Sequence, residues 1–193
     1  RDVLGSRGLG DVYKRQASID DSIAARTLTF IAPSKTFNIA GLSTSVSIVP
    51  NPVLNQRLQE EYAKMHADQG NIFGAVALEA AYTHGDEWLE QLLQYLKGNV
   101  DYVCNFLQER IPSIHCVPPQ GTYLMWLDFR EWGMTHEEIY QFLIDKAGWG
   151  VNEGSMFGEE GRGWMRVNIA TQRSVLEQAM EQLYQAWLQL PKK

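Results

Sequence analysis

The chain has 193 residues, 45% hydrophobic and 21% charged, the balance of an ordinary globular protein with room for one good core or two small ones. A formal charge of −6 argues against nucleic acid or an anionic membrane as the main partner, and no apolar run reaches the length of a membrane span. Cys104 and Cys116 show no metal-like or redox spacing and read as free thiols; with no signal-peptide pattern, a reducing, cytoplasmic setting is expected. The four histidines are scattered without a zinc-ligand pattern, so no metal is expected.

Residues 1–16 start without Met and show neither helical nor strand periodicity. They resemble translated sequencing-adapter read-through and are read as a non-native scar outside the fold. A short helical piece follows over 19–25, then an apolar, β-rich run over 27–31 that Pro33 closes. Residues 43–49 alternate small polar and branched side chains and read as the next strand. Asn51 and Pro52 mark a helix start, as N-cap and first helical residue, and that helix runs to about His66. After Gly70 a helix over 72–82 carries Ala75, Ala77, Ala80 and Ala81, small residues that allow close approach to another backbone.

Gly85 opens a long amphipathic helix to about Glu109, with Leu89, Leu92, Leu96, Val100, Val103 and Leu107 at helical spacing. The order beyond Pro112 reads strand, strand, helix, strand, strand, helix. Strands over 115–117 and 123–129 flank a Pro-Pro-Gln-Gly turn, and a helix over 136–147 is announced by Thr135 and Glu138 as a capping box with Gly148 as its stop. Ser174 and Glu177 promise the same device for the last helix. The stretch 152–163 carries four glycines and three acids, which suits a mobile loop and not a phosphate cradle.

Two basic residues stand out. Lys35 is the only charge between Arg26 and Arg57, and no acid occurs from Ser22 to Gln59. Buried among Phe30, Ile31, Phe37, Ile39 and Leu42, its ammonium would be poorly solvated and its pKa lowered, which makes an amine nucleophile; the alternative is a lysine snorkelling from a strand end. Lys35 would also lie just past the C-terminal end of a strand, where open α/β sheets place ligands. Arg166 sits in Trp-Met-Arg-Val-Asn-Ile (164–169), where alternation puts Met165, Val167 and Ile169 on one face and Trp164, Arg166 and Asn168 on the other. An arginine there is suited either to a bidentate carboxylate or to a structural ion pair.

Four blocks, Ser-Lys-Thr-Phe-Asn-Ile-Ala-Gly-Leu (34–42), Pro-Gln-Gly-Thr-Tyr-Leu-Met-Trp-Leu-Asp-Phe-Arg (119–130), Asn-Glu-Gly-Ser-Met-Phe-Gly (152–158) and Trp-Met-Arg-Val-Asn-Ile-Ala (164–170), occur in the order of one family. The chain resembles pyridoxal 5′-phosphate enzymes of the aspartate aminotransferase fold, class I/II, and within them the MalY/PatB-type cystathionine β-lyases. The resemblance implies an α/β fold: part of the large cofactor-binding domain over 17–84 and a small C-terminal α+β domain over 85–193, together the C-terminal half of an enzyme. It implies that Lys35 holds the cofactor covalently and moves the substrate's Cα proton, that Ser34 helps hold the phosphate, and that Arg166 grips the α-carboxylate of a small amino-acid substrate. The implied reaction is α,β-elimination of cystathionine or a cysteine S-conjugate to thiol, pyruvate and ammonia, in a homodimer.

The sequence departs from the broader pattern at Ala32, where many relatives carry a phosphate-binding serine, and at Ser43, where transaminases often carry an arginine. The second departure favours the lyase branch over the alternative of an aminotransferase. A further alternative is an inactive fragment, because the cofactor's ring-stacking and nitrogen-pairing groups are expected outside these 193 residues.

Overall fold

The computed structural model describes Ala17, residues 19–67 and residues 70–191; the segment 1–16 lies outside the described residues. Two compact units divide between Leu92 and Leu93, inside the helix whose start was expected to open the second domain.

In the first unit, α1 (Asp21–Ala24) is capped by the Asp20 carboxylate on the Ile23 N–H. Two short strands, β1 (Thr29–Ile31) and β2 (Val46–Ile48), pair antiparallel with Phe30 opposite Ser47. Helix α2 (Pro52–Lys64) starts as its sequence predicts: the Asn51 side-chain carbonyl accepts from the Val53 and Leu54 amides, and its amide donates to the Ala25 carbonyl at 2.8 Å. Helix α3 (Ile72–His84) is capped in the same way by Asn71, whose amide also donates to the Leu42 carbonyl at 3.0 Å. A Cβ on Gly74 would overlap the Thr44 hydroxyl, so the close approach expected of this helix is made through its glycine. Large apolar side chains stay exposed in this unit, Phe30, Ile72, Phe73 and Val76 among them.

The second unit holds almost all of the core. Helix α4 (Asp86–Arg110) buries Leu96, Val100, Val103 and Leu107 along one stripe. Beyond it, β3 (His115–Cys116), β4 (Leu124–Asp128), β5 (Asn152–Glu153) and β6 (Trp164–Asn168) form an antiparallel sheet of order β3-β4-β6-β5. Met125 and Leu127 of β4 and Met165 and Val167 of β6 point to the core, as strand alternation predicts. Helix α5 (His136–Phe142) carries the expected capping box and continues as a π-type turn over Leu143–Ala147, which Gly148 ends with φ of 68°.

Three expectations are corrected here. Helix α6 (Arg173–Trp187) begins one residue before Ser174, and no side-chain cap from Ser174 forms. Its start is tied from a distance instead: the Arg173 N–H donates to the Tyr95 hydroxyl at 2.6 Å and its Nε donates to Asn99 at 2.9 Å. Cys104 and Cys116 are not free thiols; they form a disulfide between α4 and β3, with Cα atoms 6.2 Å apart. Their spacing in sequence hid this, because only the turn at 111–114 folds β3 back against the helix. Residues 152–163, expected as a loop, fold into β5 and two 3-10 turns, Gly154–Phe157 and Glu159–Gly161.

Among the described residues no helix is long and apolar enough to cross a membrane.

Candidate functional site

Lys35 lies in the turn that follows β1. The turn is closed by the Phe37 N–H on the Pro33 carbonyl (2.9 Å) and the Ile39 N–H on the Ser34 carbonyl (3.0 Å). Phe37 anchors it: its ring meets Tyr82 edge-on at 5.6 Å and stacks on Trp88 at 6.1 Å, over the α3–α4 junction at Gly85. The sequence offered Phe37 only as one apolar neighbour among several; its anchoring role depends on where α3 ends.

The desolvation argued for Lys35 is not supplied by these residues. Lys35 is exposed and Phe30, one of its expected cover residues, is 56% exposed. Among the described residues β1 and β2 pair only with each other, and the Lys35 side chain beyond them stands in water. Among the described residues Lys35 has neither an ion pair nor a hydrogen bond, so its amine is free. Ser34 is half-buried beside it, and Thr36 is buried. Ser43, eight residues on, takes a left-handed conformation with φ of 48°.

Arg166 projects from β6 between Trp126 of β4 and Asn152 of β5, its register partners on either side. One guanidinium nitrogen donates to the Asn152 side-chain carbonyl at 2.8 Å, and the group lies 4.4 Å from the centre of the Phe157 ring. Trp126 in turn meets Phe157 edge-on at 5.3 Å. No carboxylate pairs with Arg166 among the described residues, which removes the structural ion pair as its explanation. Its Nε is buried without a partner, and an unpaired buried donor is costly unless something accepts from it. The residue borders an open cavity of about 530 Å³ whose walls include Asn152, Asn168, Thr171, Gln178 and Gln182, and no acid. Asn152 and Phe157 were missed as partners of Arg166, because the register of β5 against β6 is set by the turns between them.

Strand β6 is fixed at both ends. At its exit, the fully buried Asn99 donates to the Ile169 carbonyl (2.8 Å) and the Thr171 carbonyl (3.1 Å). At its entry, the His136 ring accepts from the Gly163 N–H at 2.9 Å. Gly154 and Gly161 meet backbone to backbone, and a Cβ on either would overlap the other's carbonyl oxygen.

No family model matches the chain. It is 32% identical over 167 residues to cystathionine beta-lyase PatB of Bacillus subtilis, covering 86% of this chain and 43% of that protein. To protein MalY of Escherichia coli it is 32% identical over 154 residues, 79% of this chain and 40% of that one. The solved structure of cystalysin from Treponema denticola, which contains pyridoxal 5′-phosphate, superposes with a TM-score of 0.81 at 36% identity, over 89% of this chain and 43% of cystalysin. Over most of its length the chain is thus similar to aminotransferase-fold, pyridoxal-phosphate-dependent enzymes and carbon–sulfur lyases. It spans less than half the length of the relatives it matches.

Proposed function

We propose that this chain carries the cofactor lysine and the substrate-carboxylate anchor of a pyridoxal-phosphate-dependent carbon–sulfur β-lyase acting on cystathionine or a cysteine S-conjugate. The observation that carries the reading is Arg166: a guanidinium with a neutral partner, an aromatic face, no competing carboxylate and one buried N–H left over. Such a group is built to accept a carboxylate from outside.

The residues present fit the cofactor in kind. Lys35 offers a free amine in the turn after β1, with the Ser34 hydroxyl next to it in the chain for the phosphate. Bound there, the cofactor supplies an aldehyde for the amine and a conjugated ring that spreads the electron pair left when Cα loses its proton. Arg166 holds the α-carboxylate and so sets which Cα bond faces the ring. The Lys35 amine takes the Cα proton. With a thiolate at Cβ, that proton transfer would let it leave, and water would convert the remainder to pyruvate and ammonia. Ser43, where an aminotransferase would carry an arginine, supports elimination over amino transfer.

On this reading residues 17–84 belong to the large domain and 85–193 to the small one. The complete enzyme is expected to be a homodimer, and the 193-residue chain alone to be inactive, since it spans 43% of the length of PatB.

The test uses a complete protein carrying this sequence. Borohydride reduction of the cofactor-loaded enzyme, followed by peptide mapping, should place the pyridoxyl group on Lys35, and Lys35→Ala should abolish both the label and thiol release. A label on another lysine overturns the assignment. Pyruvate release from cystathionine without a keto-acid acceptor marks the lyase; dependence on an acceptor marks an aminotransferase instead.

A further inference from the structure

The reading of Arg166 as a carboxylate anchor leaves open what holds it in place, and the answer lies in a histidine that the mechanism does not use. His136 is the first residue of α5, its side chain only 2% exposed. The capping box of Thr135 and Glu138 fixes the backbone on which it stands. Its Nδ1 accepts from the Gly163 N–H at 2.9 Å, so the neutral ring carries its proton on Nε2, which lies 2.9 Å from Glu153 Oε2. Glu153 ends β5 next to Asn152, and Gly163 immediately precedes β6. One buried ring therefore clips both ends of the segment 153–163. Within that segment lies Phe157, against which the Arg166 guanidinium rests, and at its edge lies Asn152, to which Arg166 donates.

We propose that His136 is a positioning residue for Arg166: by joining Glu153 to Gly163 it holds Asn152 and Phe157 around the guanidinium and keeps the buried Nε aimed at an incoming carboxylate. This rests on the reading of Arg166 given above. The other charges near the ring are already committed. Glu137 receives Arg162 at 2.6 Å and Glu159 pairs with the same arginine, so Glu153 is the carboxylate left to the imidazole.

The test is made on the full chain by nitrogen-15 NMR, with acetate as the carboxylate probe. Two signals are followed: hydrogen exchange at the Gly163 amide, which reports the clip, and the Arg166 Nε–H resonance, which reports the anchor. His136→Phe keeps a ring and loses both hydrogen bonds. It should speed Gly163 exchange about tenfold or more and raise the acetate half-saturation about threefold or more. In His136→Asn the Oδ1 takes the place of Nδ1, and Gly163 protection and part of the acetate affinity should return.

An acetate curve unchanged in His136→Phe overturns the proposal, whatever happens at Gly163. Should that variant not fold, Glu153→Ala and Glu153→Gln carry the test: the first should weaken acetate binding and the second preserve it, and equal curves for both overturn the proposal. A parent chain whose Arg166 signal ignores acetate overturns the carboxylate-anchor reading itself. The Gly163 exchange data then distinguish that failure from a failure of the clip.

Discussion

Arg166 and Asn152 face each other across the β5–β6 pair, joined by a 2.8 Å hydrogen bond from the guanidinium to the amide carbonyl. An amide orients the arginine without cancelling its charge, which a carboxylate in the same place would do.

Replacing the fork with a point charge should therefore cost binding more than turnover. On the proposed lyase reading, Arg166→Lys in the complete enzyme should raise KM for cystathionine roughly 10- to 100-fold, the loss of one charge-assisted hydrogen bond of about 1.5–3 kcal/mol. Steady-state kinetics check this, and an unchanged KM takes Arg166 out of the substrate site.

Two glycine substitutions separate a crowded position from an open one. Gly154→Ala forces a methyl into the Gly161 carbonyl and should destabilise the second unit by about 2–3 kcal/mol. Gly41→Ala, with open space and an ordinary backbone, should stay within about 0.5 kcal/mol of the parent. Urea unfolding of the three proteins gives the comparison; equal stabilities would mean that the 154–161 contact relaxes freely.

Asn99 has no exposed surface and serves three partners, the Ile169 and Thr171 carbonyls and the Arg173 Nε. Asn99→Leu fills the space and leaves those groups unpaired, so a loss of about 3 kcal/mol is expected, against under about 1 kcal/mol for a replacement that the network tolerates. Denaturant midpoints at constant slope would show which holds.

Acid should find Asp128. Burial alone would raise its carboxyl, but the Arg130 side chain and backbone N–H groups outweigh that and hold it below its ordinary 3.8. A depressed folded-state pKa gives stability that is present above the ordinary value and is lost as pH falls through the lower one. Stability measured from about pH 5 down to about pH 2 should fall less steeply in Asp128→Asn than in the parent. Parallel curves would mean that the pair with Arg130 adds nothing.

Local signals were legible wherever chemistry and structure lie close in sequence. Asn51 and Pro52, the Thr135–Glu138 box, Gly148 and the two-residue period around Arg166 each announce a feature that the backbone completes within a few residues. What escaped depends on elements far apart. The Ser174 cap lost to a link from Arg173 back to Tyr95 and Asn99 on α4, more than seventy residues upstream. Asn152 could not be matched to Arg166 until two 3-10 turns fixed the register. The cover expected over Lys35 was inferred from apolar neighbours in sequence, but Phe37 turns inward to Tyr82 and Trp88 while Phe30 faces out.

The bond between Cys104 and Cys116 closes a covalent ring around Arg110, whose peptide bond to Ile111 is a trypsin target. A protease nick there would leave both pieces travelling as one band on a gel until a thiol is added. Scission of the chain and separation of its parts are thus two events in this protein, the second under chemical control.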